Sequence, residues 1–131
     1  MINEYSQDFV RKLTAPASDN LEAFIDNIRK LDEKCNAPLL NTAGMGLAGE
    51  AGEFAEIVKK CLFHGKELDK ATKEHLIKEL GDVIWYWAAA CRALSVEPTE
   101  VIQLNVDKLS NRYPGGEFEQ FFSENRKEGD I

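Results

Sequence analysis

Residues 46–60 read Gly-Leu-Ala-Gly-Glu-Ala-Gly-Glu-Phe-Ala-Glu-Ile-Val-Lys-Lys and set Glu50 and Glu53 three positions apart in a helical pattern. Residues at i and i+3 share a helix face, so these two carboxylates project side by side, one turn apart. The stretch Lys78–Trp87 repeats the spacing with Glu79 and Asp82, this time inside an otherwise apolar helix. On two facing helices the pairs would form a cage of four carboxylates, and the rest of the chain would have to build around it.

The periodicity along the chain supplies such helices. Tyr5, Phe9 and Leu13 recur at i, i+4 and i+8 in a short amphipathic helix over 4–13, and residues 14–20 break it with turn-forming side chains. Leu21, Phe24, Ile25, Ile28 and Leu31 mark a second helix over 20–34, capped by Asp19 or Asn20. A third is expected over 38–63, opened by Pro38 in its first turn and ended by Gly65. Gly44, Gly46, Gly49 and Gly52 fall inside it, each costing a helix about 1 kcal/mol relative to Ala. Either they leave bare backbone for close packing or ligand approach, or Gly44 and Gly46 mark a break and the helix starts near Leu47. A fourth helix runs from about Asp69 to Leu94; beyond Val83 it is apolar nearly all round, which implies burial on several sides. A fifth runs over 98–112, stopped by Tyr113-Pro-Gly-Gly116. The expected class is all-α, a helical bundle of four to five helices in a single domain over 1–131, with a flexible tail over 119–131.

Composition narrows the function. A net charge of −7 argues against a nucleic-acid surface and against an anionic membrane, and would repel a polyphosphate unless cations intervene. The longest apolar run, Val83 to Cys91, falls short of a membrane span, and the N-terminus has no secretory pattern. Cys35, Cys61 and Cys91 are odd in number and widely spaced, as expected of reduced, mostly buried thiols in a cytoplasmic protein.

A carboxylate pair among Leu80, Val83 and Ile84 is costly unless something neutralises it. All-oxygen donors favour hard cations, so the pattern points to Mg²⁺, with Mn²⁺ as a substitute. Such an ion makes an acidic pocket receptive to phosphates. A di-iron centre would use Glu-x-x-His on two helices; three residues before His64 and His75 stand Cys61 and Thr72, so that reading lacks its nitrogen ligands and both histidines read as surface residues. Either carboxylate pair alone would more often be a solvated helix face; the small residues around the first and the apolar ones around the second weigh toward a site. Glu56 lies off the Glu50–Glu53 face and reads as exposed. Lys60 falls close to that face, whereas Lys59 does not. Asn105, Lys108 and Arg112 share one polar face of the fifth helix, where a phosphate contact and a solvated, dipole-favoured helix end are equally good readings.

Taken together, Glu50-x-x-Glu53 followed by Glu79-x-x-Asp82 resembles the E-x-x-E…E-x-x-D signature of the all-α nucleotide pyrophosphohydrolases, the MazG-like superfamily. The flanks, Gly46-Leu-Ala-Gly-Glu-Ala-Gly-Glu and Glu79-Leu-Gly-Asp-Val-Ile-Trp-Tyr, are similar too. So is Asn105-x-x-Lys108-Leu109-x-x-Arg112-Tyr113-Pro114. The resemblance covers about residues 40–118. It implies a Mg²⁺-dependent enzyme that hydrolyses a nucleoside triphosphate to monophosphate and pyrophosphate in nucleotide-pool housekeeping. It also implies a homodimer or dimer of dimers, with the site near the subunit interface. By position Glu50, Glu53, Glu79 and Asp82 would be metal ligands, one glutamate also acting on the attacking water. Lys60, Asn105, Lys108 and Arg112 would contact phosphate and nucleotide, and Tyr86 would line the pocket. Members act on dUTP, dCTP, phosphoribosyl-ATP and other nucleotides, and the shared motif does not choose among them. The competing reading is a non-catalytic helical interaction module whose acidic face meets a basic partner. A regulatory nucleotide binder that hydrolyses poorly lies between the two.

Overall fold

The computed structural model describes residues 1–131 and contains helices without a strand. The all-α expectation holds. The N-terminal helix α1 covers residues 2–13, its middle (Tyr5–Val10) wound as a π-helix with Tyr5 stacked on Phe9 at 5.4 Å. The segment read as a turn instead holds one short helix, α2 (Pro16–Asp19), started by a proline whose φ already suits a helix. Then follow α3 (Leu21–Asp32), α4 (Ala37–Phe63), α5 (Lys70–Ala93), α6 (Pro98–Arg112) and α7 (Gln120–Glu124).

The chain forms two compact units, Met1–Leu94 and Ser95–Ile131. In the first, α4 and α5 make the main pairing. Their starts are set by side chains that accept otherwise orphaned N–H groups. Asn36 accepts from Leu39 at 3.1 Å and Asp69 from Thr72 at 2.8 Å; Asn20 does the same for α3, accepting from Ala23 at 2.9 Å. The Asn36 N–H donates to the Ala93 carbonyl at 2.9 Å, tying the beginning of α4 to the end of α5, so the two helices run antiparallel. Gly65, at φ +68, supplies the left-handed residue after α4.

The break considered at Gly44–Gly46 is absent: α4 is continuous from Ala37 to Phe63. Of its glycines only Gly46 is needed for packing. A Cβ there would sit inside the ring of Tyr86, whereas at Gly44, Gly49 or Gly52 it would meet nothing within 4 Å. The core is small, made of Ala37, Ala43, Ile57, Cys91 and Ala93. Cys91 is buried and Cys35 and Cys61 partly so, all as free thiols. Along α5 the burial expected beyond Val83 is incomplete within one chain: Ile84 and Trp85 are more than half exposed, as are Ile77 and Leu80 before them.

In the second unit, Tyr113–Gly116 turns the chain after α6, with the Gly116 N–H donating to the Tyr113 carbonyl at 2.9 Å. The Tyr113 and Phe118 rings meet at 5.7 Å. The final residues fold back onto α6: Lys127 Nζ donates to the Asn111 carbonyl at 3.1 Å, and Arg112 grips Asp130 with two hydrogen bonds of 2.7 and 2.5 Å.

Candidate active site

The α4–α5 pairing brings carboxylates from both helices together. Oxygens of Glu50, Glu79 and Asp82 lie within 4.8 Å of one another. Helical spacing aligns Glu79 with Asp82 on α5, and the antiparallel register set at Asn36–Ala93 and at Gly46–Tyr86 carries Glu50 opposite them. Glu53 stands one turn further along α4, exposed and outside that group, though close enough for its charge to be felt at Glu50. Burial is graded: Glu79 is 9% exposed, Glu50 is intermediate and Asp82 is exposed.

This is a concentration of like charge. The Glu50 carboxyl is held above its ordinary range, first by burial, then by its contact with Glu79, then by the charges of Asp82, Glu79 and Glu53. No lysine or arginine ion-pairs with Glu50, Glu79 or Asp82; the cationic partners in α4 go elsewhere. Lys59 pairs with Glu56 at 2.8 Å and Lys60 reaches the same carboxylate at 3.9 Å, which holds Glu56 below its usual range. Glu56 is exposed, as its place on the helix indicated. The one basic side chain in contact with the cluster is His75, whose Nε2 lies 2.9 Å from Glu79 Oε1. Its ring is more than half exposed, in keeping with a surface position, yet it touches the site. The i, i+4 rule applied backwards from Glu79 could have found it.

Three carboxylates that no lysine or arginine neutralises make a donor set suited to a hard divalent ion: oxygens only and several charges. A soft or nitrogen-seeking metal finds neither thiolate nor imidazole in the converging group.

Tyr86, partly buried, lies one turn beyond Asp82, its ring pressed on Gly46 and edge-on to Trp85 at 5.0 Å. Asn105, Lys108 and Arg112 belong to the second unit. There Arg112 and Asp130 are both nearly buried, with side chains 10% and 12% exposed, and Lys108 donates to the main-chain oxygen of Ile131. The Arg112 guanidinium, by hydrogen bond and charge, holds Asp130 below the ordinary carboxylate range, and Asp130 in turn raises the pKa of Arg112. No spacing argument pointed to Asp130, which is 18 residues from its partner in a polar tail.

Residues 40–116 match the model of the MazG nucleotide pyrophosphohydrolase domain. The chain is 42% identical to "Gene 37 protein" of Mycobacterium phage L5 over 79 residues, which is 59% of this chain and 68% of that protein. No solved structure gives a significant match.

Proposed function

The chain belongs to the MazG nucleotide pyrophosphohydrolase domain family, and we propose that it hydrolyses a nucleoside or deoxynucleoside triphosphate to the monophosphate and pyrophosphate with Mg²⁺ as cofactor. The observation that carries this reading is the convergence of Glu50, Glu79 and Asp82 inside the family-matched segment.

Glu50, Glu79 and Asp82 would hold Mg²⁺, or Mn²⁺ in its place, with Glu53 beside them. Bound there, the ion would offset the repulsion between carboxylates and substrate phosphates and polarise a phosphoryl oxygen. The residues themselves account for the remaining demands. Water must approach the α-phosphorus, breaking the bond from that phosphorus to the bridging oxygen so that pyrophosphate departs with the electron pair. Glu53 is outside the converging three and accessible, and is therefore free to orient the water and accept its proton. Lys60 provides a cation on the same helix for a phosphate, at the cost of a 3.9 Å surface pairing with Glu56 that is weak and easily exchanged. Tyr86 offers an aromatic wall for the nucleotide. Asn105, Lys108 and Arg112 are proposed as phosphate and nucleotide contacts because they match the family's third motif block; Arg112 already holds a carboxylate bidentately, the geometry a phosphate would also accept.

A second copy of the chain is the expected partner. Ile77, Leu80, Ile84 and Trp85 present an apolar stripe on α5, and Leu39, Trp85, Ala88, Ala89 and Arg92 line a shallow groove of about 250 Å³. No helix is long and apolar enough to cross a membrane. A role in maintaining the cytoplasmic nucleotide pool follows from this reading.

The test is a product assay with Mg²⁺ and a panel of canonical and modified nucleoside triphosphates, counting pyrophosphate and orthophosphate separately. Pyrophosphate with monophosphate, lost on adding chelator, is the expected result. Orthophosphate alone would place attack at the terminal phosphate and overturn the mechanism.

A further inference from the structure

Among the three converging carboxylates, Glu79 is the most deeply placed, yet it is the one with an imidazole nitrogen beside it. His75 stands four residues earlier on α5, and its Nε2 meets Glu79 Oε1 at 2.9 Å. The imidazole is outside the converging group, so it touches the candidate ion site only through Glu79. Without a donor, a carboxylate facing two like charges in a poorly solvated position gains by rotating away from them. With its Nε2 2.9 Å from Oε1, the ring opposes that escape by holding one Glu79 oxygen in place.

We infer that His75 is a positioning residue that holds the Glu79 carboxylate in its metal-binding orientation. The inference rests on the metal-centre reading above. Partners that hydrogen-bond a ligating carboxylate orient it and raise its affinity for the ion, and their loss commonly weakens metal binding by about 10- to 100-fold. The usual arrangement, an imidazole on the metal backed by a carboxylate, is reversed here: the carboxylates would take the ion and the imidazole backs them.

The protein also supplies the substitute that separates positioning from packing. A glutamine can donate from i to a carboxylate at i+4 on a helix, as Gln120 does to Glu124 and Gln103 to Asp107, each at 2.8 Å. His75→Gln therefore keeps a donor of the right reach. His75→Ala removes it, and His75→Leu removes it while keeping bulk. Because the ring is more than half exposed, all three variants are expected to fold.

Mn²⁺ would be titrated into the metal-free full chain, with free ion followed by electron paramagnetic resonance and melting recorded in chelator. His75→Ala and His75→Leu are expected to raise the Mn²⁺ dissociation constant about 10- to 100-fold at unchanged metal-free melting temperature, and His75→Gln to bring it back to within a few-fold of the original. Wild-type affinity in the Ala and Leu variants would overturn the inference. So would a Gln variant that folds but binds as poorly as Ala. If the unaltered protein binds no Mn²⁺, the metal centre itself is overturned, and the positioning role with it.

Discussion

The two charged sites of this protein use the same kind of residue to opposite effect. At Arg112–Asp130, opposite charges meet in two short hydrogen bonds and the carboxyl is driven below its normal pKa. At Glu50–Glu79–Asp82, like charges meet beside one imidazole and the Glu50 carboxyl is driven above its normal pKa. The first is complete as it stands. The second is stable only because the α4–α5 packing holds it, and it is improved by any cation that enters. Charge that has been left uncompensated in the folded chain is the better guide to function.

Breaking the acidic group should give the largest effect. Glu79→Gln and Asp82→Asn are expected to lower pyrophosphate release by more than about a hundredfold, beyond the loss typical of an outer partner. Neither should lower the melting temperature of the metal-free protein, because each removes repulsion. Activity assays paired with melting in chelator would show both. Retained turnover in either variant would remove that residue from the site.

Adding a divalent cation comes next. Mg²⁺ or Mn²⁺ at a hundred times its dissociation constant should stabilise the fold by about 2.7 kcal/mol, measured by urea unfolding with and without chelator. Equal stabilisation of Asp82→Asn would mean a generic salt effect. A third test asks whether packing really imposes the crowding. Gly46→Ala should cost about 1–3 kcal/mol by driving a methyl into the Tyr86 ring. Gly49→Ala, with open space around it, should be neutral or gain up to about 1 kcal/mol of helix propensity. Similar unfolding midpoints for the two variants would contradict the close approach.

The smallest effect is the most diagnostic, since the two sites should respond to pH with opposite sign. Asp130 has a lowered pKa, so its pairing contributes fully above its ordinary value of 3.8 and is lost as pH falls through the lower folded value. Asp130→Asn should therefore reduce melting temperature at neutral pH, the difference closing in strong acid. Glu50 has a raised pKa, so its contribution is complete below 4.5 and is lost as pH rises through the higher folded value. Glu50→Gln should raise the metal-free melting temperature at neutral pH, and the gain should vanish below about 4.5. A melting series from strong acid to pH 8 in chelator would read both.

Much of this was legible in the residues. Helical periodicity placed α4, α5 and α6 to within a residue or two of their ends, because long amphipathic patterns and Asn, Asp and Pro start signals agree with one another. The two carboxylate pairs were visible as spacings. Which members converge was not, because spacing defines a helix face but not how far that face is rotated toward its neighbour. Glu53 shares a face with Glu50 and still falls outside the group. The Glu-x-x-His spacing bears only on His75 as a metal ligand; its contact with Glu79 follows the i, i+4 spacing instead. Likewise the glycines of α4 were legible as a set, but only the pairing of helices distinguishes Gly46 from the rest.

The contact between Gly46 and Tyr86 also limits how this chain can change over generations. A side chain at 46 and a ring at 86 exclude each other, so neither position is free to vary alone while the helices keep their register. A relative that widens one should trim the other. Since Glu50 lies one turn beyond Gly46 on α4 and Asp82 one turn before Tyr86 on α5, this two-residue lock sets the spacing of the acidic group without belonging to it. Paired substitutions at these positions among relatives would be the inherited trace of a site whose geometry is guarded from outside.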